Sequence, residues 1–332
     1  MSGPIQFYIS TLLIFLFVDI MACWALNLQF GIAGLLNFAF IIFQAAGAYT
    51  AAVLTLGTPA SNGNYQSYIL GFTLPFPLPL IAAAAVGGIL ALFIGLITLR
   101  RLRSDYQAMV MLVISIIATV VVTNEIRLFN GATGLSSIPT PLSDQLGLGA
   151  LDYQWFYVGL SGVILLVVYV VVHQLTTSPL GRVLRAVRDN DAAAAALGKD
   201  VTRYRMFAFV VGGAIAGVSG AVLVQFIGAW APGGWMYPET FVLLGAVIIG
   251  GRGNALGSAV GALLVPVAFN EATRFLPPIG RPGLIDALQW IVIGVLILSF
   301  LWLRPQGIFP ERRRTYDATG TPRRSWVRVP RP

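Results

Sequence analysis

Five stretches of this chain, residues 5–27, 80–99, 153–172, 206–227 and 284–303, are nearly unbroken runs of apolar side chains. A helix rises ~1.5 Å per residue, so about 20 such residues cover the ~30 Å of hydrocarbon in a bilayer. Strands are excluded: the alternation of a half-buried strand is missing, and an unclosed sheet leaves its backbone unsatisfied in lipid. Composition agrees, with 57% hydrophobic and only 10% charged residues, where soluble domains hold roughly 45–50% apolar residues. The fold class that follows is all-α, a polytopic transmembrane helical bundle of about 8–10 spans. The opening "MSGPIQFYIS" has no basic n-region and no small-residue cleavage site, which predicts an uncleaved first span.

Charge placement orders the spans. No Lys or Arg precedes Arg100; the basic residues then arrive in clusters at Arg100–Arg103, Arg182–Arg205, Arg252 and Arg304–Arg331. Pairs of apolar blocks separate the clusters, so all fall on one side of the membrane, and of the 21 Lys and Arg only Arg127, Arg274 and Arg281 fall on the other. The positive-inside bias makes the crowded side cytoplasmic. Crossings at 5–27, 31–56, 76–99, 106–123, 153–175, 206–228, 239–250, 255–272 and 284–303 satisfy this pattern, with the N-terminus outside and the C-terminus inside. The segment 241–250 is too short to span and meets the next block at "GGRGNALG", which predicts a broken or re-entrant element buried in protein. Residues 1–304 therefore form the membrane domain. Residues 305–332 form a Pro-rich, polybasic tail, expected to be disordered beside the anionic inner leaflet, where membrane lipid is a partner. A net charge of +8 invites a nucleic-acid reading, but that needs a soluble basic face, so no nucleic-acid partner is expected.

The cytoplasmic loop 176–205 is the most informative segment. Ser178 before Pro179 reads as an N-cap with proline at the first helical position. Val183, Leu184 and Val187 then recur at helical spacing, with Arg182, Arg185 and Arg188 on the other side. Asp189, Asn190 and Asp191 are expected to end this helix and cap a second one containing Ala192, Ala193 and Ala194, with Leu197 as its one large apolar knob. Gly198 is placed for a left-handed C-terminal cap, and Thr202 for the cap of the next span. A smooth alanine face with one knob suits close docking into a partner's groove; a solvated connector is the plainer alternative.

The stretch "SPLGRVLRAVRDNDAAAAALGKDVTRYRMFAFVVGGAIAGVSGAV" resembles the cytoplasmic loop and following span of LivM-type permeases, membrane subunits of branched-chain amino acid ABC importers. "GLLNFAF", "RLRSDYQAMVML", "NGATGLSSIP", "GGRGNALGSAVGA" and "LRPQGIF" are similar to further stretches of that family, so the resemblance runs from about Gly31 to Phe309. It implies that the loop is the coupling element seated on an ATPase, with Asp191, Ala192, Ala193 and Gly198 in matching positions. It also implies a second, LivH-like permease, two cytoplasmic ATPase subunits that carry the ATP and magnesium, and an extracytoplasmic substrate-binding protein in a bacterial plasma membrane. The chain departs from the family where Asn37, Phe38, Ala39 and Phe40 replace a frequent Ser-x-Gly-His, and where "LVISIIATVVV" lacks a frequent acid. These departures bear on substrate more than on fold.

Other chemistry is sparse. Gly250, Gly251, Gly253, Gly257 and Gly261 lack the Gly-Lys-Ser/Thr of a P-loop. Gly253, Gly257 and Gly261 are read instead as one close-packing helix face, compatible with lining a pathway, as are Gly213, Gly217 and Gly220. Asp19 lies deep in an apolar block and is either functional or a buried, hydrogen-bonded acid. Glu239, Glu271 and Asp286 read as anchors at span ends. One His and one Cys make no metal site, and no protease constellation is visible, so no catalytic residue, metal or directly bound cofactor is expected. Trp230, Trp235 and Tyr237 read as an aromatic belt, with contact to a binding protein as the alternative. The function that the resemblance implies is an ABC importer permease for branched-chain or hydrophobic amino acids. The alternatives are the same machine for urea, short amides or aromatic acids, and a stand-alone channel or carrier.

Overall fold

The computed structural model describes residues 3–59, 65–102, 104–274, 284–311, 315–316 and 322–323. Its long helices are α1 (Gly3–Leu26), α2 (Phe40–Val53), α3 (Leu78–Arg101), α4 (Ser104–Asn124) and α5 (Ala150–Thr177). The short helices α6 (Pro179–Asp189) and α7 (Asp191–Ala196) lead into α8 (Val201–Ile227), α9 (Tyr237–Gly250), α10 (Ala255–Ala262) and α11 (Leu284–Leu303). Among the described residues seven helices are long and apolar enough to cross a membrane, and Phe40–Val53 and Leu288–Leu303 are shorter apolar helices. These elements correspond one to one with the nine blocks read from the sequence. The only strand pairing among the described residues is a two-residue antiparallel contact of Thr315–Tyr316 with Pro322–Arg323, so the architecture is all-α.

Glycine sets the packing. α8 lies between α2 and α3, and a Cβ on Gly217 would run into the carbonyl of Ala83, while one on Gly47 would run into Gly217 itself. A Cβ on Gly213 would lie 2.5 Å from that of Ala91, and one on Gly220 would strike the carbonyl of Gln44. In lipid no hydrophobic force drives helices together, so close backbone approach through such residues supplies the dispersion that does. The α9–α10 hairpin is built likewise, with Gly250 against Gly257 and Gly261 against Ala246. α9 itself holds fourteen residues, but with its entry turn the segment Pro232–Gly250 is one of the seven long enough to cross, and every residue from Val242 to Gly250 is buried. The segment is enclosed by protein as expected, but it is not too short to span. Gly253 differs from expectation: it sits in the turn before α10 with φ +79° and does not share the helix face of Gly257 and Gly261.

α1 continues into a π-helical turn, Asn27–Ile32, before the chain reverses into α2. This irregular backbone is tolerated because it is buried and its polar groups find protein partners. Asn37, fully buried, donates Nδ2 to Gln29 Oε1 at 2.8 Å and accepts from the Ala39 amide at 2.9 Å. Gln29 Nε2 donates onward to the carbonyl of Phe209 at 3.0 Å. Asn37 thus pins the α1–α2 break to α8. Asn37→Ala strands two buried polar partners and is expected to cost about 2 kcal/mol or more, read as a lowered unfolding midpoint in detergent; an unchanged midpoint would refute this role.

The two ends of the bundle are distinct. At one end Tyr8 Oη donates to Glu271 at 2.6 Å, Ser10 Oγ to Gln154 at 2.7 Å, and Trp235 Nε1 to Tyr49 Oη at 3.1 Å. Trp230 and Trp235 are 6% and 1% exposed. They therefore pack inside the protein, bridged to Leu135 and Tyr49, and the aromatic-belt expectation fails for both. Tyr237 remains exposed. At the other end lie α6, α7, the Gly31–Gly34 turn, the Gly253 turn and residues 304–311. All clusters of basic residues that the structure describes lie at this end.

Candidate functional site

The basic-end loop is built from two helices that do different things. In α6, Gly181, Leu184 and Val187 are buried against the bundle and Arg182 is exposed. Pro179 occupies the first turn as expected, but Ser178 does not cap with its side chain: its hydroxyl donates back to the carbonyl of Leu175 at 2.8 Å. Arg185 and Arg188 do not point at solvent. Arg185 Nε donates to Glu311 Oε1 at 2.7 Å and Nη1 to the carbonyl of Thr176 at 3.0 Å. Arg188 Nη2 donates to Glu311 Oε2 at 2.9 Å, Nη1 to the carbonyl of Gly31, and Nε to Asp189 at 3.1 Å. The Glu311 side chain is only 13% exposed, so a single carboxylate holds two guanidiniums in a charge-assisted clasp.

Glu311 belongs to a segment read above as disordered tail. Residues 305–311 are instead docked: the amides of Ile308 and Phe309 donate to the carbonyls of Ile249 and Gly250 at 2.8 and 2.9 Å, and Asn254 Nδ2 donates to the carbonyl of Pro310 at 3.3 Å. The Glu311 carboxylate packs against Gly253, its carbon 2.8 Å from where a Cβ would stand, and the Gly253 amide donates to Asn27 Oδ1 at 2.8 Å. One strap therefore joins α6, the end of α1 and the α9–α10 turn. Sequence reasoning missed Glu311 because its partners lie more than 120 positions away. The one available signal was a lone acid standing directly before Arg312, Arg313 and Arg314.

In α7 the cap is Asn190, whose side chain accepts from the Ala193 amide at 3.0 Å. Asp191 is the first helical residue and pairs with Arg205 at 2.7 Å. Gly198 takes the expected left-handed conformation, φ +75°, letting the Gly198 and Lys199 amides close on Ala195 and Ala194. α8 is capped by Asp200, which accepts from the Arg203 amide at 3.0 Å, and not by Thr202. Ala194 is buried, while Ala192 and Ala193 are exposed and Leu197 is 80% exposed. The loop therefore presents a small apolar face with a projecting leucine, on a helix anchored at both ends.

The remaining candidates are scattered. Asp19 is half-buried on α1 and makes no hydrogen bond or ion pair among the described residues. Gly213 and Gly217 sit in the α8 seams, and Gly257 sits in the hairpin. No group of three or more His, Cys, Asp or Glu could hold a metal among the described residues.

Residues 8–301 match the family model described as branched-chain amino acid transport system / permease component. The chain belongs to this family. It is 29% identical to the high-affinity branched-chain amino acid transport system permease protein LivM of Salmonella typhimurium, over 87% of this chain and 67% of that protein. The probable branched-chain amino acid transport permease protein LivM of Methanocaldococcus jannaschii is 27% identical, over 92% of this chain and 94% of its own length. LivH of Salmonella typhimurium is 26% identical over 85% of this chain and 88% of its length. No solved structure matches the chain. This chain is thus a multi-pass membrane permease of an ABC importer of the branched-chain amino acid type, a transport subunit and not an enzyme. Its relatives imply a complex with other permease subunits.

Proposed function

We propose that this permease moves branched-chain or similar hydrophobic amino acids across a bacterial plasma membrane, paired with a LivH-like subunit. Two cytoplasmic ATPases supply the energy and an extracytoplasmic binding protein delivers the substrate. The basic end is the cytoplasmic end, so the C-terminus lies inside. ATP and magnesium belong to the partner subunits.

The observation that carries the reading is the exposed alanine face of α7 with Leu197 projecting from it at the basic end. Exposed apolar surface on a charged face marks a docking site. The ATPase grips α7 through Ala192, Ala193, Leu197 and the αL turn at Gly198, with Arg182 and Asp191 at the rim. Arg185 and Arg188 act one step behind the contact. They tie α6 to Glu311, and through it to the α9–α10 hairpin and the end of α1, so displacement of α7 is passed to membrane-embedded backbone. Nucleotide can bias the two transport states only if contacts at this loop differ between them.

Glu311→Gln removes the carboxylate that holds both guanidiniums, leaving Arg185 without its counter-charge and Arg188 with Asp189 alone in a part-buried site. Transport is expected to fall about tenfold, since loss of one partner from such a pair costs of order 1–2 kcal/mol once partial solvent exposure is allowed for. Surface expression should be unchanged, and Glu311→Asp should restore part of the activity. Wild-type transport by Glu311→Gln would refute the tie. The substrate assignment is tested by ATP hydrolysis in the reconstituted complex. Leucine, isoleucine or valine with the binding protein is expected to stimulate it, and urea, amides and aromatic acids are not; the opposite ranking would overturn the assignment.

A further inference from the structure

α3 and α8 form a second feature at the basic end that the coupling loop does not use. On α3, Leu92, Leu96 and Arg100 stand four residues apart; on α8, Arg203, Met206, Phe207 and Val210 follow at spacings of three, one and three. Each row lies on one helix face, and the two rows face each other across a groove that Asp200 and Thr202 complete. The helices close at its floor, where a Cβ on Gly95 would meet the sulfur of Met206 at 2.6 Å and the ring of Phe209 at 3.1 Å. Leu92, Leu96 and Phe207 are 41%, 38% and 39% exposed. Both rows turn from apolar to cationic at the same level. Neither guanidinium makes an ion pair or side-chain hydrogen bond among the described residues. The Asp200 carboxylate accepts the Arg203 backbone amide, so the mouth carries two cations against one anion.

We propose that this groove binds one anionic phospholipid, its phosphodiester between Arg100 and Arg203 and an acyl chain lying along Leu92, Leu96, Met206, Phe207 and Val210. The dimensions fit one leaflet. From Leu92 to Arg100 the α3 row rises ~12 Å, within the ~15 Å that half of a ~30 Å hydrocarbon core provides. A cation level with the headgroups above an apolar wall complements such a lipid along its whole length, whereas a soluble anion would use only the mouth and an apolar helix would leave both guanidiniums unpaired. Basic pockets between membrane helices are recognised sites for anionic headgroups, at about 1 kcal/mol for each Lys or Arg near the surface. The inference is independent of which substrate the permease carries.

Native mass spectrometry of the full-length protein in neutral detergent tests it, with phosphatidylglycerol and phosphatidylcholine added as competing probes. The wild type is expected to retain phosphatidylglycerol about fivefold over phosphatidylcholine, the size that one excess positive charge predicts. The Arg100→Gln/Arg203→Gln pair should lose that preference, and Leu96→Glu should lower retention of both lipids. Arg252→Gln, an exposed cation outside the groove, should behave as wild type. All these positions are exposed, so folding should survive the changes. Equal retention of the two lipids, a double variant indistinguishable from wild type, or displacement of phosphatidylglycerol by millimolar inorganic phosphate would each overturn the proposal. So would exclusion of lipid from this groove by a companion permease in the purified complex.

Discussion

A permease carrying Ala193→Glu and Leu197→Asp is expected to lose transport about a hundredfold while reaching the membrane at wild-type level. Both parts follow from exposure. Leu197 is 80% exposed and Ala193 faces solvent on a six-residue helix, so polar substitution removes almost no packing within the chain and stability should move by less than about 0.5 kcal/mol. Docking is a different matter. If an ATPase groove closes over this face, two new carboxylates must be buried without partners, and even a modest share of that cost exceeds the ~2.7 kcal/mol that a hundredfold loss of binding requires. A stand-alone carrier would be indifferent to both changes. Uptake measured beside membrane abundance separates the two cases, and full activity of the double variant would remove α7 from the mechanism.

The second large effect concerns the bundle itself. Gly217→Leu is expected to destabilise the protein by about 3 kcal/mol or more, the upper range for overpacking, and so to prevent its accumulation. A side chain there has nowhere to go. On one side stands the Ala83 carbonyl of α3, on the other the Gly47 backbone of α2, and neither is the flexible end of a side chain that could swing away. Gly159 on α5 supplies the contrast, because a Cβ built there meets nothing within 4 Å. Gly159→Ala should raise the unfolding midpoint slightly, by the up to ~1 kcal/mol that alanine gains over glycine in a helix. Opposite shifts from two glycines in similar apolar runs would show that seam geometry, and not glycine content, holds the helices together.

How much of this was legible in the sequence depended on the range of the interaction. Apolar block length located every span, and "GGRGNALG" marked the break after α9, because both are set by local chain chemistry. Pro179, the alanine run and the αL glycine at Gly198 were equally readable. The α7 cap, Asn190, falls within the Asp189–Asp191 stretch expected to hold it, whereas the α8 cap was misplaced by two positions, on Thr202 in place of Asp200. Several polar residues in a row can serve locally, and what decides is which oxygen reaches the amide three residues on. The roles of Arg185 and Arg188 were not legible. A helical wheel puts them opposite the apolar stripe and so toward a partner, but their counter-charge, Glu311, comes from a segment whose composition reads as disordered. Burial of Trp230 and Trp235 was hidden for the same reason, since it depends on Leu135 and Tyr49 arriving from elsewhere in the chain.

The central claim is that α7 is the surface by which a separate ATPase drives this permease. Cys23 is the chain's only cysteine and is buried, so Leu197→Cys introduces a single reactive thiol. In inside-out membrane vesicles bearing the assembled complex, a short thiol-to-amine cross-linker should join position 197 to the ATPase subunit, and ATP binding should change the yield. A thiol that cross-links to no ATPase, or that is labelled by an impermeant reagent only in right-side-out vesicles, would contradict the account.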